Sequence, residues 1–183
     1  MVKLIAFVLA TVGLVWVSRR SLRAPGSHGC YRFIAWELIL ALFLINVDSW
    51  FRNPFSWHQL ISWVLLTASI FPVVMGVRSL AGQGKPAEHR EGAAHLLAFE
   101  KTTTVVSTGI YRYIRHPLYS SLLFLAWGIF FKVPTWMGAC LAVGATLALL
   151  ATARADEAEC LRFFGAEYVA YMAQTKRFVP FLF

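Results

Sequence analysis

Five apolar runs constrain this chain more than any motif does: residues 2–17, 33–51, 57–78, 117–131 and 134–153. A helix satisfies its own backbone hydrogen bonds, so it can cross hydrocarbon where other open structures cannot. With 58% hydrophobic residues, 15% aromatic and only 14% charged, the composition lies far from that of a soluble protein. The expectation is an all-α integral membrane protein, one domain over residues 1–183, with about five transmembrane helices.

The charge has to be read against those runs. A net charge of +8 would suit nucleic acid, but the basic residues fall between apolar segments instead of forming a stripe on a polar domain, so no nucleic-acid partner is expected. Of the 17 Lys and Arg, only Lys3, Arg52 and Lys132 fall at the start of the first run, after the second or after the fourth. The remainder cluster after runs one, three and five. By the positive-inside rule this makes the protein multi-pass, with a cytoplasmic C-terminus and a cytoplasmic loop over residues 79–116.

The first run could open a signal peptide, but Trp16 and the pair Arg19-Arg20 stand where a cleavage site needs small residues, which favours a spanning helix. Glu37 interrupts the second run. A carboxylate there either faces a polar cavity or reaches water at the interface. Asp48 is expected near the far interface with Trp50 and Arg52. In the long loop, Gly82-Gln83-Gly84-Lys85 is followed by Pro86 where a phosphate-binding loop needs Ser or Thr, so it reads as a flexible turn. Leu96 to Val106 ends in β-branched residues and is expected to be extended, with Glu100-Lys101 either closing over a ligand or simply solvated. Cys30, Cys140 and Cys160 have neither disulfide nor zinc spacing, and no metal is expected.

The loop ends in Gly109-Ile-Tyr-Arg-Tyr-Ile-Arg-His-Pro-Leu-Tyr119. Arg115 and His116 can donate to an anion, and Pro117 suits the first turn of a helix whose free backbone donors attract negative charge. Residues 117–131 make only about 22 Å of helix against a hydrocarbon core of about 30 Å. If the short side is the Arg115-His116 end, these cations lie in a recess. A C-terminal amphipathic helix is expected over 154–173. At 100° per residue, Glu157, Leu161, Phe164, Tyr168, Tyr171 and Met172 share one face, which puts Glu157 inward, while Asp156, Glu159, Arg162 and Glu167 look solvent-facing. An inward carboxylate needs a partner, either as a structural salt bridge or as part of a site, and the nearest cations are Arg112, Arg115 and His116. A kink is expected at Gly165.

Gly109-x-Tyr111-x-x-x-Arg115-His116-Pro117-x-Tyr119, followed after a hairpin by Asp156-Glu157, Phe164-Gly165, Tyr168-x-x-Tyr171 and Arg177-x-x-Pro180, resembles the isoprenylcysteine carboxyl methyltransferase family, integral-membrane enzymes related to phospholipid methyltransferases. The resemblance covers about the last 75 residues. Asp156 replaces a usual Glu, and Cys160 stands where the family tends to have Leu.

The resemblance implies an S-adenosyl-L-methionine-dependent methyltransferase. Its cofactor pocket would open to the cytosol, and a lipophilic acceptor would enter from the bilayer among membrane lipids. It implies Tyr111, Arg115, His116, Pro117, Tyr119 and Glu157 as cofactor contacts, with Arg115 and Glu157 nearest the chemistry. A carboxylate acceptor could be oriented by Arg115 or Arg177, and an amine could lose its proton to Glu157 or Glu37. Tyr168 and Tyr171 would be either pocket or packing. An NADPH-dependent membrane reductase of related architecture and a non-catalytic membrane subunit are the alternatives. The acceptor's identity and the oligomeric state are not encoded in any of these residues.

Overall fold

The computed structural model describes residues 1–84 and 102–180. Lys85, Pro86 and the Glu100-Lys101 pair, with most of the stretch expected to be extended, lie outside the described residues. Among the described residues there are six α-helices: α1 (Val2–Ser18), α2 (His28–Asn46), α3 (Trp57–Gln83), α4 (Pro117–Phe130), α5 (Trp136–Phe164) and α6 (Ala166–Gln174). Short 3-10 turns at Ser21–Arg23, Val47–Ser49 and Gly109–Arg112 join them, and no strand occurs among the described residues. His28–Ser49, Trp57–Gln83 and Trp136–Phe164 are long and apolar enough to cross a membrane, while α1 and α4 are shorter apolar helices.

The apolar runs and the helices agree closely except at three places. α3 continues past residue 78 to Gln83, so Gly82 and Gln83, expected in a flexible turn, are helical, since an isolated glycine costs a helix only about 1 kcal/mol. The second helix begins at His28, ahead of the apolar run, because Ser27 and the polar residues after it form a helical start anchored elsewhere in the protein. More consequentially, α5 runs unbroken through the point where a separate C-terminal helix was expected at residue 154. Residues 149–157, Leu-Leu-Ala-Thr-Ala-Arg-Ala-Asp-Glu, contain neither Gly nor Pro and are mostly good helix formers, so nothing ends the helix there. The break comes at Gly165, whose φ of 57° and ψ of −130° suit glycine alone, and α6 starts after it.

Close packing between helices rests on small residues, as expected where lipid supplies little hydrophobic drive for association. α2 lies along α5, with Ala35, Ala142, Ala145, Ala148 and Ala153 in the core. α3 lies along α4, where Gly76 faces the Pro117 ring and Gly128 faces Leu66. The Ser62 hydroxyl donates to the Gly128 carbonyl at 2.7 Å across that contact. α1 leans on α2. Lys3 pairs with Asp48 at 2.6 Å, joining the start of α1 to the end of α2.

The tail returns to the start of α4. The Arg115 and His116 amides donate to the Lys176 and Arg177 carbonyls at 2.8 and 3.1 Å, and the Lys176 amide donates to the Tyr113 carbonyl at 3.0 Å. This short parallel pairing fixes residues 175–178 beside the Arg-His-Pro turn. The end of α5 and the entry to α4 therefore meet at one corner of the bundle.

Candidate active site

The entry to α4 is a tightly turned segment. Gly109 has φ of 60°, and a Cβ there would lie 2.7 Å from the Ser79 hydroxyl, so both backbone and space require glycine. Gly109–Arg112 then forms one 3-10 turn, His116 occupies the N-cap position, and Pro117 opens the helix with a ring that needs no hydrogen-bond acceptor. The Ser120 hydroxyl bonds the His116 and Phe178 carbonyls, tying the turn to the tail.

Glu157 is the joint of this corner. It is 5% exposed, and both carboxylate oxygens are occupied. Arg115 Nε donates to Oε1 at 3.0 Å and Arg177 Nε donates to the same oxygen at 3.1 Å, while Arg177 Nη2 donates to Oε2 at 2.7 Å. His116 Nε2 lies 3.2 Å from Oε1. Arg115 also donates to the Met172 and Thr175 carbonyls, which fixes its guanidinium against the end of α6. One inward carboxylate thus holds the α4 entry, α5 and the tail together.

The neighbouring acid takes a different part. Tyr119 donates to Asp156 Oδ2 at 3.1 Å, and His116 Nδ1 lies 3.5 Å from the same oxygen. The His116 and Tyr119 rings stack at 5.2 Å. Burial pushes the His116 imidazole towards its neutral form, but hydrogen bonds and charges from Asp156 and Glu157 outweigh that and raise its pKa above 6.5. The hydrogen bond to Glu157 leads the causes that raise Arg177, so that cation is held charged.

A cleft of about 670 Å³ of empty space, including its open mouth, lies beside this network. Its walls include Tyr111, Arg115, His116 and Tyr119 from the α4 entry, Asp156, Cys160 and Phe164 from α5, and Tyr168 and Tyr171 from α6, with Thr102 to Val106 opposite. The Tyr171 hydroxyl is committed to the Tyr111 carbonyl at 2.8 Å. The Tyr168 side of the cleft differs. That residue is 6% exposed, its ring stacks on Phe164, and its hydroxyl has no hydrogen bond among the described residues. Burial first, and then the nearby thiol and carboxylates, push its pKa up, so the hydroxyl keeps its proton as a donor.

The structure brings Tyr111, Arg115, His116, Tyr119 and Tyr168 to the cleft wall. Pro117 lies behind it as the first residue of α4, and Glu157 and Arg177 are held at its back through Arg115 and His116. Glu37 is elsewhere, on α2, accepting from the Thr11 hydroxyl of α1 at 2.8 Å. Two acids expected to face solvent do not. Asp156 lines the cleft, and Glu159 accepts from the His28 amide at 3.0 Å and lies 2.9 Å from His28 Nδ1, fastening α2 to α5. The phase argument misplaced them because this end of α5 has neighbours on three sides, so a single inward stripe does not describe it. Their spacing around Glu157 was the available signal. Among the described residues, no group of three or more metal-ligating side chains could hold a metal ion.

Residues 92–166 match the family model described as phospholipid methyltransferase. The matched stretch holds the Arg115-to-Tyr119 turn and the Asp156-Glu157 pair, and it ends as α6 begins, so residues from both walls of the cleft lie within it. No curated protein and no solved structure matches the chain.

Proposed function

We propose that the protein is an S-adenosyl-L-methionine-dependent membrane methyltransferase acting on a lipophilic acceptor, of the isoprenylcysteine carboxyl methyltransferase type. The observation that carries this reading is the two-walled cleft. Arg115, His116 and Tyr119 form one wall, Asp156 and Tyr168 form the other, and the chain stretch that matches a methyltransferase model supplies most of both.

The donor set fits the cofactor chemically. A guanidinium on Arg115 suits its carboxylate, Asp156 and the unpartnered Tyr168 hydroxyl suit its amine and ribose hydroxyls, and the Tyr111, Phe164 and Tyr168 rings suit an adenine. When bound, that cofactor supplies an electrophilic methyl group on a sulfonium. The protein's task is then alignment and dehydration more than strong acid or base catalysis.

Each residue has a distinct assignment in this reading. Arg115 is the group nearest the chemistry, and it can orient a carboxylate acceptor because its fork is already fixed by Glu157 and the α6 carbonyls. Glu157 works through Arg115 and His116, since its oxygens are fully engaged by three cationic side chains. Arg177 completes that support. Asp156 is the acid facing the cleft and the better placed of the pair to take a proton from an amine acceptor. Glu37 has no part in this cleft. The basic segments after α1, α3 and α5 support a five-span topology with the cleft and C-terminus cytoplasmic, and the exposed apolar flanks of the helices leave the acceptor free to arrive from the bilayer.

The direct test incubates detergent-purified protein with methyl-labelled S-adenosylmethionine and a membrane lipid extract, then identifies labelled products by mass spectrometry. A labelled lipophilic product, absent with Arg115→Ala, is expected. Folded protein that labels nothing and is stabilised by NADPH instead would replace this reading with a reductase.

A further inference from the structure

A second cavity lies away from the cleft. Between α1 and α3, backed by α2 and α4, a chamber encloses about 1830 Å³ of empty space including its open side. It shares no lining residue with the cleft, and among its lining side chains only Thr67 carries a hydroxyl. On α3 it runs from Trp63 to Ile70 and on α4 from Leu122 to Ile129, about 10 Å of rise on each helix. It therefore runs about two turns along the helix axes, room for part of an extended hydrocarbon chain.

The two ends are chemically unlike. At one end Trp50 and Trp63 close the slot over Lys132, which is fully buried, donates to Gln59 Oε1 and lies 3.1 Å from the Trp63 ring centroid. That cation is sealed off. At the other end the lining residue Trp16 carries a stacked guanidinium, that of Arg19 at 4.5 Å from the ring centroid. Arg19 and its neighbours Arg20 and Arg23 are exposed, and no Asp or Glu occurs from residue 4 to residue 36. An apolar slot thus opens at one end beside three exposed arginines, Arg19, Arg20 and Arg23.

We propose that this chamber binds an anionic phospholipid, its acyl chain along α1 and α3 and its phosphate on the Arg19–Trp16 corner, as a resident lipid separate from any methyl acceptor. A neutral or zwitterionic lipid could fill the slot but would gain nothing from the arginines. A free anion would meet the arginines but leave the slot empty. The inference requires a membrane location and does not depend on methyl transfer.

Gly13 gives the test a clean handle. It lines the chamber, and a Cβ built there meets nothing within 4 Å, so the side chain of Gly13→Phe starts in open space, occupies the slot and improves helix propensity. Delipidated protein in detergent would be titrated with phosphatidylglycerol, phosphatidylcholine or inorganic phosphate while its melting temperature is followed. Phosphatidylglycerol is expected to raise it by several degrees, with little effect from the other two. Gly13→Phe should abolish the shift, and Arg19→Gln should weaken the apparent affinity about tenfold while circular dichroism stays helical. Equal shifts from both lipids, a shift from phosphate alone, or an unchanged response in both variants would overturn the proposal. So would a shift that follows protein concentration, which would place a second copy of the chain in the slot. If Gly13→Phe does not fold, the Arg19→Gln comparison decides alone.

Discussion

Tyr168 separates binding from stability more cleanly than any other residue in the cleft. The ring is largely buried and the hydroxyl has no hydrogen bond among the described residues, so Tyr168→Phe should leave the melting temperature within about 1 °C. The same change should weaken S-adenosylmethionine binding several-fold by calorimetry, because a hydroxyl that serves only the ligand is removed. Glu157 should behave in the opposite way. Removing one partner of a buried charge network leaves the others unpaired, and Glu157→Ala is expected to cost about 3–5 kcal/mol of stability in chemical denaturation, together with any ligand binding. His116 adds a pH signature. Its folded pKa is raised above 6.5 by the two carboxylates, so its contribution is fully present below 6.5 and is lost as pH rises through the folded value. The melting temperature should therefore fall across that alkaline window in the wild type and flatten in His116→Asn, which cannot ionise.

At the scale of elements, the hinge between α5 and α6 carries the account. Gly165 has open space around its missing side chain, so any penalty for Gly165→Ala comes from backbone strain alone. A φ of 57° with ψ of −130° should cost about 1–3 kcal/mol in an alanine, read as a lowered denaturation midpoint. It should also swing Tyr168 and Tyr171 out of register with the cleft and weaken binding. The apolar runs made α1 to α5 legible, because runs of 15 to 22 mostly apolar residues leave little else to form. The ends were less legible. Glycine at 165 announced a break, yet nothing announced that α5 would continue past residue 153, since helix persistence depends on the absence of a stop signal and on partners that pack from other elements. The pairing of residues 113–116 with 175–177 left no trace either, being made of backbone groups that every residue carries.

For the whole molecule, the candidate site was readable where chemistry is concentrated in unusual residues and unreadable where it depends on who else is nearby. Arg115, His116 and Tyr119 stood out because cations and a phenol at the mouth of an apolar helix need a reason. Glu157 stood out because a carboxylate on an apolar face needs a partner, and it has three. Asp156 and Glu159 were hidden because a charge on the outer face of one helix is ordinary until a second helix covers it. The architecture that results gives the cleft a rigid back, Glu157 with its cations, and a front of polar and aromatic side chains. Its central claim is that this front is built for S-adenosylmethionine. Calorimetric titration of the detergent-purified, folded protein with that compound tests it most directly. Saturable one-site binding is predicted, lost in His116→Ala and weakened in Tyr168→Phe. Absence of binding to the folded wild type, or equal binding by wild type and His116→Ala, would contradict it.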